Sequence, residues 1–302
     1  MTYSLLVPCY NAEKYVVSFL SNLSKLHKPF DEVIFYDDAS TDATMQLLLA
    51  GGHQVIKGDI NKGPGYARNR LAHAATGDYI HFHDIDDEFN LGFLLFAAEK
   101  AAEPGSDVIV GQADWIDAVT REVMISWRYN HVEISNDPLS YFLAHPLGVI
   151  NTLCKRSVFL QINGFNEDIR CWEDADLHIR LAAAGAGFAV IDEILAYSLR
   201  HHHGISRDQT WCWNCRLKFL EGYFKLYSKR VDRGILKEEL KKIQQVLVIT
   251  AQYRRLSKII RLNQVYQLGI PTRNISILYY LNKIIPALVL SRLLRLYTGS
   301  NS

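Results

Sequence analysis

Over its first 110 residues the chain alternates two apolar patterns, and that alternation leaves few folds open. Ser4–Val7, Glu32–Tyr36, Gln54–Ile56, Tyr79–Phe82 and Asp107–Val110 are compact apolar or β-branched runs bounded by turn residues, which predicts buried strands. The stretches between them, Ala12–Leu26, Thr41–Ala50, Tyr66–Ala75 and Leu91–Ala102, carry apolar residues at helical spacing. Strands that alternate with helices are joined by crossovers. The expected class is therefore α/β, a mostly parallel, Rossmann-like sheet flanked by helices. Ligands of such sheets gather at the carboxyl ends of the strands. Asp37-Asp38 follows the second run and Asp84-Ile85-Asp86-Asp87 the fourth, so both acidic groups fall where a ligand is expected.

In extended backbone alternate residues share a face, so Asp84 and Asp86 point the same way. Converging carboxylates repel one another unless a cation neutralises them. Hard divalent ions such as Mg2+ and Mn2+ take oxygen ligands, typically one or two carboxylates plus substrate phosphates. A solvated acidic loop would give the same residues an ordinary role, since Asp-x-Asp is a short pattern. Ser40 or Thr41 could likewise cap the next helix, with Asp42 in its first turn. That leaves Asp37 and Asp38 unexplained; a carboxylate there can accept from a base N–H or a ribose hydroxyl.

Four segments occur in order: Val7-Pro8-Cys9-Tyr10-Asn11-Ala12-Glu13-Lys14-Tyr15, Asp37-Asp38-Ala39-Ser40-Thr41-Asp42, Asn61-Lys62-Gly63-Pro64-Gly65-Tyr66-Ala67-Arg68-Asn69, and Gly77-Asp78-Tyr79-Ile80 leading into Asp84-Ile85-Asp86-Asp87. Their order and spacing closely resemble bacterial family 2 glycosyltransferases of the GT-A fold. The resemblance implies an inverting enzyme that moves a sugar from a nucleoside-diphosphate sugar, UDP foremost, to a hydroxyl of a glycan or lipid-linked acceptor in cell-surface polysaccharide synthesis. By position it implies that Pro8, Tyr10 and Glu13 surround the nucleotide and that Asp38 recognises the base. Arg68 would lie near the diphosphate or donor sugar. Asp84 and Asp86 match the family's metal-binding Asp-x-Asp, with Asp86 the direct ligand of Mn2+ or Mg2+.

Further along, Asn163-Gly164-Phe165-Asn166-Glu167 and Glu173-Asp174 resemble the family's Gly-Gly-Phe-(Asp/Asn)-Glu segment and its Glu-Asp pair, with Asn163 where glycine is usual. The match makes Asp174 the general base, with Glu173 orienting or substituting for it. An acceptor hydroxyl needs such a base, because it must lose its proton as it attacks. Taken without the family, the same acids are a favourable first helical turn. Arg200-His201-His202-His203-Gly204-Ile205-Ser206 resembles the family's Arg-x-His segment, which implies that His202 reaches the diphosphate and the metal. Three consecutive histidines cannot all face one ion, which argues against a zinc triad. Cys212-Trp213-Asn214-Cys215 could hold zinc only with two further ligands, and cysteines at i and i+3 of a helix are more often ordinary buried residues.

Charge divides the chain. Residues 1–205 hold 15 Lys and Arg against 27 Asp and Glu, whereas 206–302 hold 18 against 5. Together with the motifs this predicts a nucleotide-sugar-binding half over 1–110, an acceptor-binding half over 111–206 and a basic, amphipathic helical extension over 207–302. In the extension, Arg292 and Arg295 set against Leu288, Leu290, Leu293, Leu294 and Leu296 resemble an interfacial helix facing an anionic membrane, although packing on the catalytic part or in a homo-oligomer would serve as well. No nucleic-acid module is present in the sequence. Five irregularly spaced cysteines and a start without a basic n-region predict a reducing cytoplasm, and the basic tail would place the protein peripherally on the inner face of the plasma membrane. Two other activities fit the same carboxylates: a metal-dependent nucleotide-sugar hydrolase, and a non-catalytic nucleotide-sugar-binding subunit. The second would lack one of the carboxylates, and none is missing.

Overall fold

The computed structural model describes residues 1–200, 209–287 and 289–292. The chain forms two units, Met1–Gly204 and Ile205–Ser302. The first begins with β1 (Tyr3–Cys9), α1 (Glu13–Leu23), β2 (Glu32–Asp37), α2 (Thr44–Ala50), β3 (Gln54–Lys57), α3 (Pro64–Ala74) and β4 (Tyr79–Phe82). It continues through β5 (Glu88–Phe89), α4 (Phe93–Ala101), β6 (Val108–Asp117), β7 (Val123–Trp127), α5 (His131–Asn136), α6 (Pro138–Ala144), β8 (Thr152–Lys155), α7 (Arg156–Gln161), α8 (Glu173–Ala183) and β9 (Phe188–Arg200).

One sheet runs through the unit in the order β3-β2-β1-β4-β8-β6-β9-β5, with β7 paired to β6. The strands β3, β2, β1 and β4 are mutually parallel, as the crossover pattern requires. Beyond them the sheet is mixed: β8 is antiparallel to both β4 and β6, while β6 and β9 run parallel. β6 extends to Asp117, well past the expected end at Val110, and Gly111 lies inside it. The glycine is needed there because a Cβ would collide with the Leu195 side chain of β9. Leu5 and Val7 of β1, Phe19 of α1, Phe35 of β2 and Phe93 of α4 close one core over the sheet, all nearly inaccessible. Each fully buried side chain of this size contributes about 1.5–3 kcal/mol.

Aligned registers bring Pro8, Tyr36-Asp37 and the end of β4 to one edge of the sheet. There His81 and His83 are completely buried side by side, with His81 Nε2 3.1 Å from His83 Nδ1. The His83 ring stacks on Phe89 at 3.6 Å between centroids. Burial pushes both imidazoles down, that of His83 to about 3, so both are neutral aromatic core residues near neutrality.

The second unit comprises α9 (Gln209–Tyr227), α10 (Arg233–Ile249), a 3-10 turn at Tyr253–Arg255, α11 (Leu256–Tyr266) and α12 (Arg273–Leu281). Asp232 caps α10 through the Gly234 N–H at 2.8 Å. Leu220, Phe224, Leu236, Leu240, Ile243 and Ile259 are buried in its core, together with an ion pair between Arg216 and Glu239 at 2.6 Å. Among the described residues no helix is long and apolar enough to cross a membrane.

Candidate active site

The acidic groups stand at the carboxyl ends of β2 and β4, and a cation joins the second of them to α8. Arg68, on α3, is buried, and its guanidinium spans carboxylates far apart in sequence. Nη2 donates to Asp84 Oδ1 at 2.7 Å, while Nη1 donates to Glu173 Oε1 and Asp174 Oδ1, each at 3.3 Å. The face of the fork lies over the Phe165 ring, 5.4 Å from its centroid. Three acids around one cation leave a surplus of negative charge. They also hold the guanidinium protonated, its pKa raised above an already high value despite burial.

Local structure sets each partner of Arg68. Trp172 takes a left-handed conformation, φ 70° and ψ 20°, immediately before α8. That turn costs a non-glycine residue about 1–2 kcal/mol, and it starts the helix so that Glu173 and Asp174 occupy its positive N-terminal turn. Burial is the main force on the Asp174 carboxyl, which Arg68 opposes and Glu173 and Asp84 reinforce; it is pushed up to about 7. The Val149 N–H donates to Asp174 Oδ2 at 3.3 Å.

Phe165 is in turn held by Asn69, a residue that the motif contained but that sequence reasoning gave no role. Asn69 Oδ1 accepts the Phe165 N–H at 2.8 Å, and its Nδ2 donates to Phe165 O and Glu167 Oε1, both at 2.9 Å. Gly164, at φ 61°, makes room for this clamp, since a Cβ would run into Asn69 Oδ1 and come within 2.8 Å of the Phe159 ring. Gly164→Ala is therefore expected to destabilise the protein by about 1–3 kcal/mol and to lower activity, because neither the backbone nor the clamp can accept the methyl. Thermal unfolding checks the first effect. Turnover at a temperature where the variant stays folded checks the second.

On the other side of the edge, two loops are stitched together. Asn11, at φ 47°, accepts the Thr41 N–H through Oδ1 at 2.8 Å, and Glu13 Oε2 accepts the Ala43 N–H at 2.9 Å at the start of α2. Tyr10 is half exposed beside them, and Pro8 lies in β1 opposite Tyr36. Asp38 is buried and takes N–H donors from Lys62 and Gly63, the latter at 2.8 Å, so it fixes the loop entering α3. Asp37 Oδ1 is buried with no hydrogen-bond partner among the described residues. A buried carboxylate oxygen left open at a strand end suits a ligand N–H or hydroxyl.

Asp84, Asp86 and Asp87 differ in exposure. The first two are partly open, whereas Asp87 is buried and accepts the Leu199 N–H at 2.7 Å, tying the acidic turn to the end of β9. Burial, with Asp84 and Asp86 adding to it, raises the Asp87 carboxyl well above the usual range. Two partly exposed hard oxygen donors amid surplus negative charge fit a Mn2+ or Mg2+ ion completed by phosphate and water. No group of three metal-binding side chains exists among the described residues. His202 and its neighbours His201 and His203 lie outside the described residues. Cys212 and Cys215 form no disulfide, and no group of three metal-binding side chains includes them among the described residues.

The Glycosyl transferase family 2 model matches residues 4–162. The poly(ribitol-phosphate) beta-N-acetylglucosaminyltransferase TarS of Staphylococcus aureus is 37% identical over 117 residues, a match covering 36% of this chain and 20% of that protein. The chain thus aligns with only about a fifth of that relative's length. The amylovoran biosynthesis glycosyltransferase AmsB of Erwinia amylovora is 28% identical over 229 residues, 68% of this chain and 71% of that one. Among solved structures, S. aureus TarS 1-349 in complex with UDP-GlcNAc superposes with a TM-score of 0.67 at 22% identity, covering 92% of this chain and 84% of that chain. The mannosyltransferase PcManGT from Pyrobaculum calidifontis, in complex with GDP-Man and Mn2+, gives a TM-score of 0.58 at 17% identity, covering 99% and 88%. These likenesses show the fold, which is GT-A. The family match extends over more than half of the residues, and the chain belongs to glycosyl transferase family 2.

Proposed function

We propose that this protein is an inverting glycosyltransferase. It moves a sugar from a UDP-sugar to a hydroxyl of a glycan or lipid-linked acceptor in the synthesis of a cell-surface polysaccharide. The observation that carries the reading is the Arg68 constellation, which gathers the strand-end acid Asp84 and the helix-end acids Glu173 and Asp174 around one buried cation. The S. aureus and E. amylovora relatives support the setting, and the UDP-GlcNAc complex of the TarS structure supports the donor class.

In this reading Asp174 takes the proton of the acceptor hydroxyl while its oxygen bonds to the anomeric carbon. The bond from that carbon to the diphosphate breaks, and the nucleoside diphosphate leaves. Glu173 shares Arg68 with Asp174 and orients it. Pro8, Tyr10, Glu13 and Asp38 line the nucleotide side, and Arg68 faces the diphosphate. Asp86, with Asp84 and His202, would hold a Mn2+ or Mg2+ ion; when bound, it supplies Lewis-acid stabilisation of the leaving diphosphate. The protein works in the cytoplasm, and its basic helical unit meets an anionic membrane surface.

A panel of UDP-, GDP- and dTDP-sugars with Mn2+, assayed with and without acceptor glycan, tests the activity. Transfer that needs acceptor is the expected result, and acceptor-independent release would instead make the protein a hydrolase. Asp86→Ala is expected to cut metal-stimulated turnover by on the order of 10²-fold or more. Calorimetric titration of the donor with Mn2+ should show the matching loss of binding.

A further inference from the structure

In the helical unit, α12 and the turn after it are apolar on two sides. Ile275 is buried, as an amphipathic helix requires. Ile277, Tyr280, Leu281 and Ile284 follow at i, i+3, i+4 and i+7 and form a second stripe, exposed by 50, 60, 37 and 84%. The N–H of Ile284 still bonds to Leu281 O at 3.0 Å, so the stripe continues through the turn. Lys283 lies over the rings of Tyr279 and Tyr280, at 4.9 and 5.1 Å, and Arg273 is exposed at the start of α12. After Glu239 the remaining 63 residues contain ten Lys and Arg and no acidic residue.

A continuous apolar stripe costs free energy in water unless something covers it. A second copy would bring one net-basic helical unit, 18 Lys and Arg against 5 Asp and Glu over 206–302, against another. A nucleic acid would match the charge and leave the isoleucines nothing to bury against. A bilayer bearing anionic headgroups satisfies both features, because apolar side chains enter the acyl boundary while lysine and arginine heads stay at the phosphates. We infer that the Ile277–Ile284 face of α12 and the turn after it is a docking surface for an anionic phospholipid bilayer. The inference rests on the membrane placement proposed above and not on the sugar transfer.

Sedimentation of the full chain with phosphatidylcholine vesicles, with and without about a third phosphatidylglycerol, tests it. The protein is expected to pellet with the anionic vesicles at low salt and to be released as salt rises. Ile277→Asp and Ile284→Asp should each weaken binding about tenfold or more, since each replaces a large apolar contact with a repelled charge. Lys283→Glu should weaken it too and flatten the salt dependence. Leu226→Asp, at a position 70% exposed on α9, should change nothing. Failure to pellet, or unchanged binding by both isoleucine variants, would overturn the inference. So would a lower mass in light scattering on Ile284→Asp, which would make a second copy the occupant. Transfer between soluble donor and acceptor, measured in parallel, should survive in both isoleucine variants. If wild type binds vesicles but transfers no sugar, the enzymatic reading fails and the docking surface stands.

Discussion

Asp174→Asn is expected to lower turnover by about 10²–10⁴-fold while donor binding stays within a few fold, because the amide can no longer take the acceptor proton. The pH profile gives the sharper readout. The Asp174 carboxyl is pushed up to about 7, mainly by burial. A base must be ionised, so wild-type kcat/KM should rise with pH and level off above about 7. In the variant this limb should vanish. The same shift fixes the sign for stability. A folded-state pKa above the unfolded value means that the folded chain holds this proton more tightly. The associated stability is complete below about pH 4 and is lost as pH rises through about 7. At pH 8 the asparagine variant should therefore melt no lower than wild type. A clear fall in Tm would trace its inactivity to misfolding, and retained turnover would remove Asp174 from the base role.

Arg68→Met should be the most damaging single change in this edge of the sheet. It removes the one cation from three acids and leaves them recessed and mutually repelling. Breaking a buried pair costs about 3–5 kcal/mol, and because these carboxylates keep some contact with water the lower end applies. That corresponds to a Tm lower by roughly 6–12 °C in a unit of this size. Arg68→Lys should restore part of the stability but little activity, since an ammonium cannot reach three carboxylates with a planar fork. Because Arg68 opposes the upward push on Asp174, the ascending pH limb of the methionine variant should move to higher pH. A variant with normal Tm and an unmoved limb would show that the bridge matters little in solution.

These two residues also show where sequence reasoning stops. The strands that lead into Asp37-Asp38 and His83-Asp84, and the helices between them, were legible because period and turn chemistry are local. Even the stop of α8 was written in the chain, as Gly185 at φ 86°. The motifs also supplied Arg68, Glu173 and Asp174 one by one. What they could not supply was the bridge, which joins positions 105 and 106 residues apart. Nor could local pattern reveal β8 inserted between β4 and β6, since a four-residue strand carries no direction. Asn69 was overlooked because a small amide inside a helix has no periodic signal, and its use depends on a loop nearly a hundred residues away. For Asp38 the motif suggested a ligand contact and gave no sign that the same carboxylate also accepts the Lys62 and Gly63 amides.

The neutral histidines under the acidic turn carry one more consequence. Their folded-state values lie below the ordinary 6.5, so the stability they permit is complete above that pH and is lost as pH falls, for His83 toward about 3. Acid therefore reaches the enzyme by two routes. If Asp174 is the proposed base, protonating it near pH 7 should silence a folded molecule, and raising the pH again should restore it at once. Protons forced onto His81 and His83 act later and on the scaffold, because a charged imidazole packed against Phe89 has to leave the core. The strand that presents Asp84 is then released along with it. An inactivation that outlasts neutralisation would thus mark damage to the platform rather than an idle base.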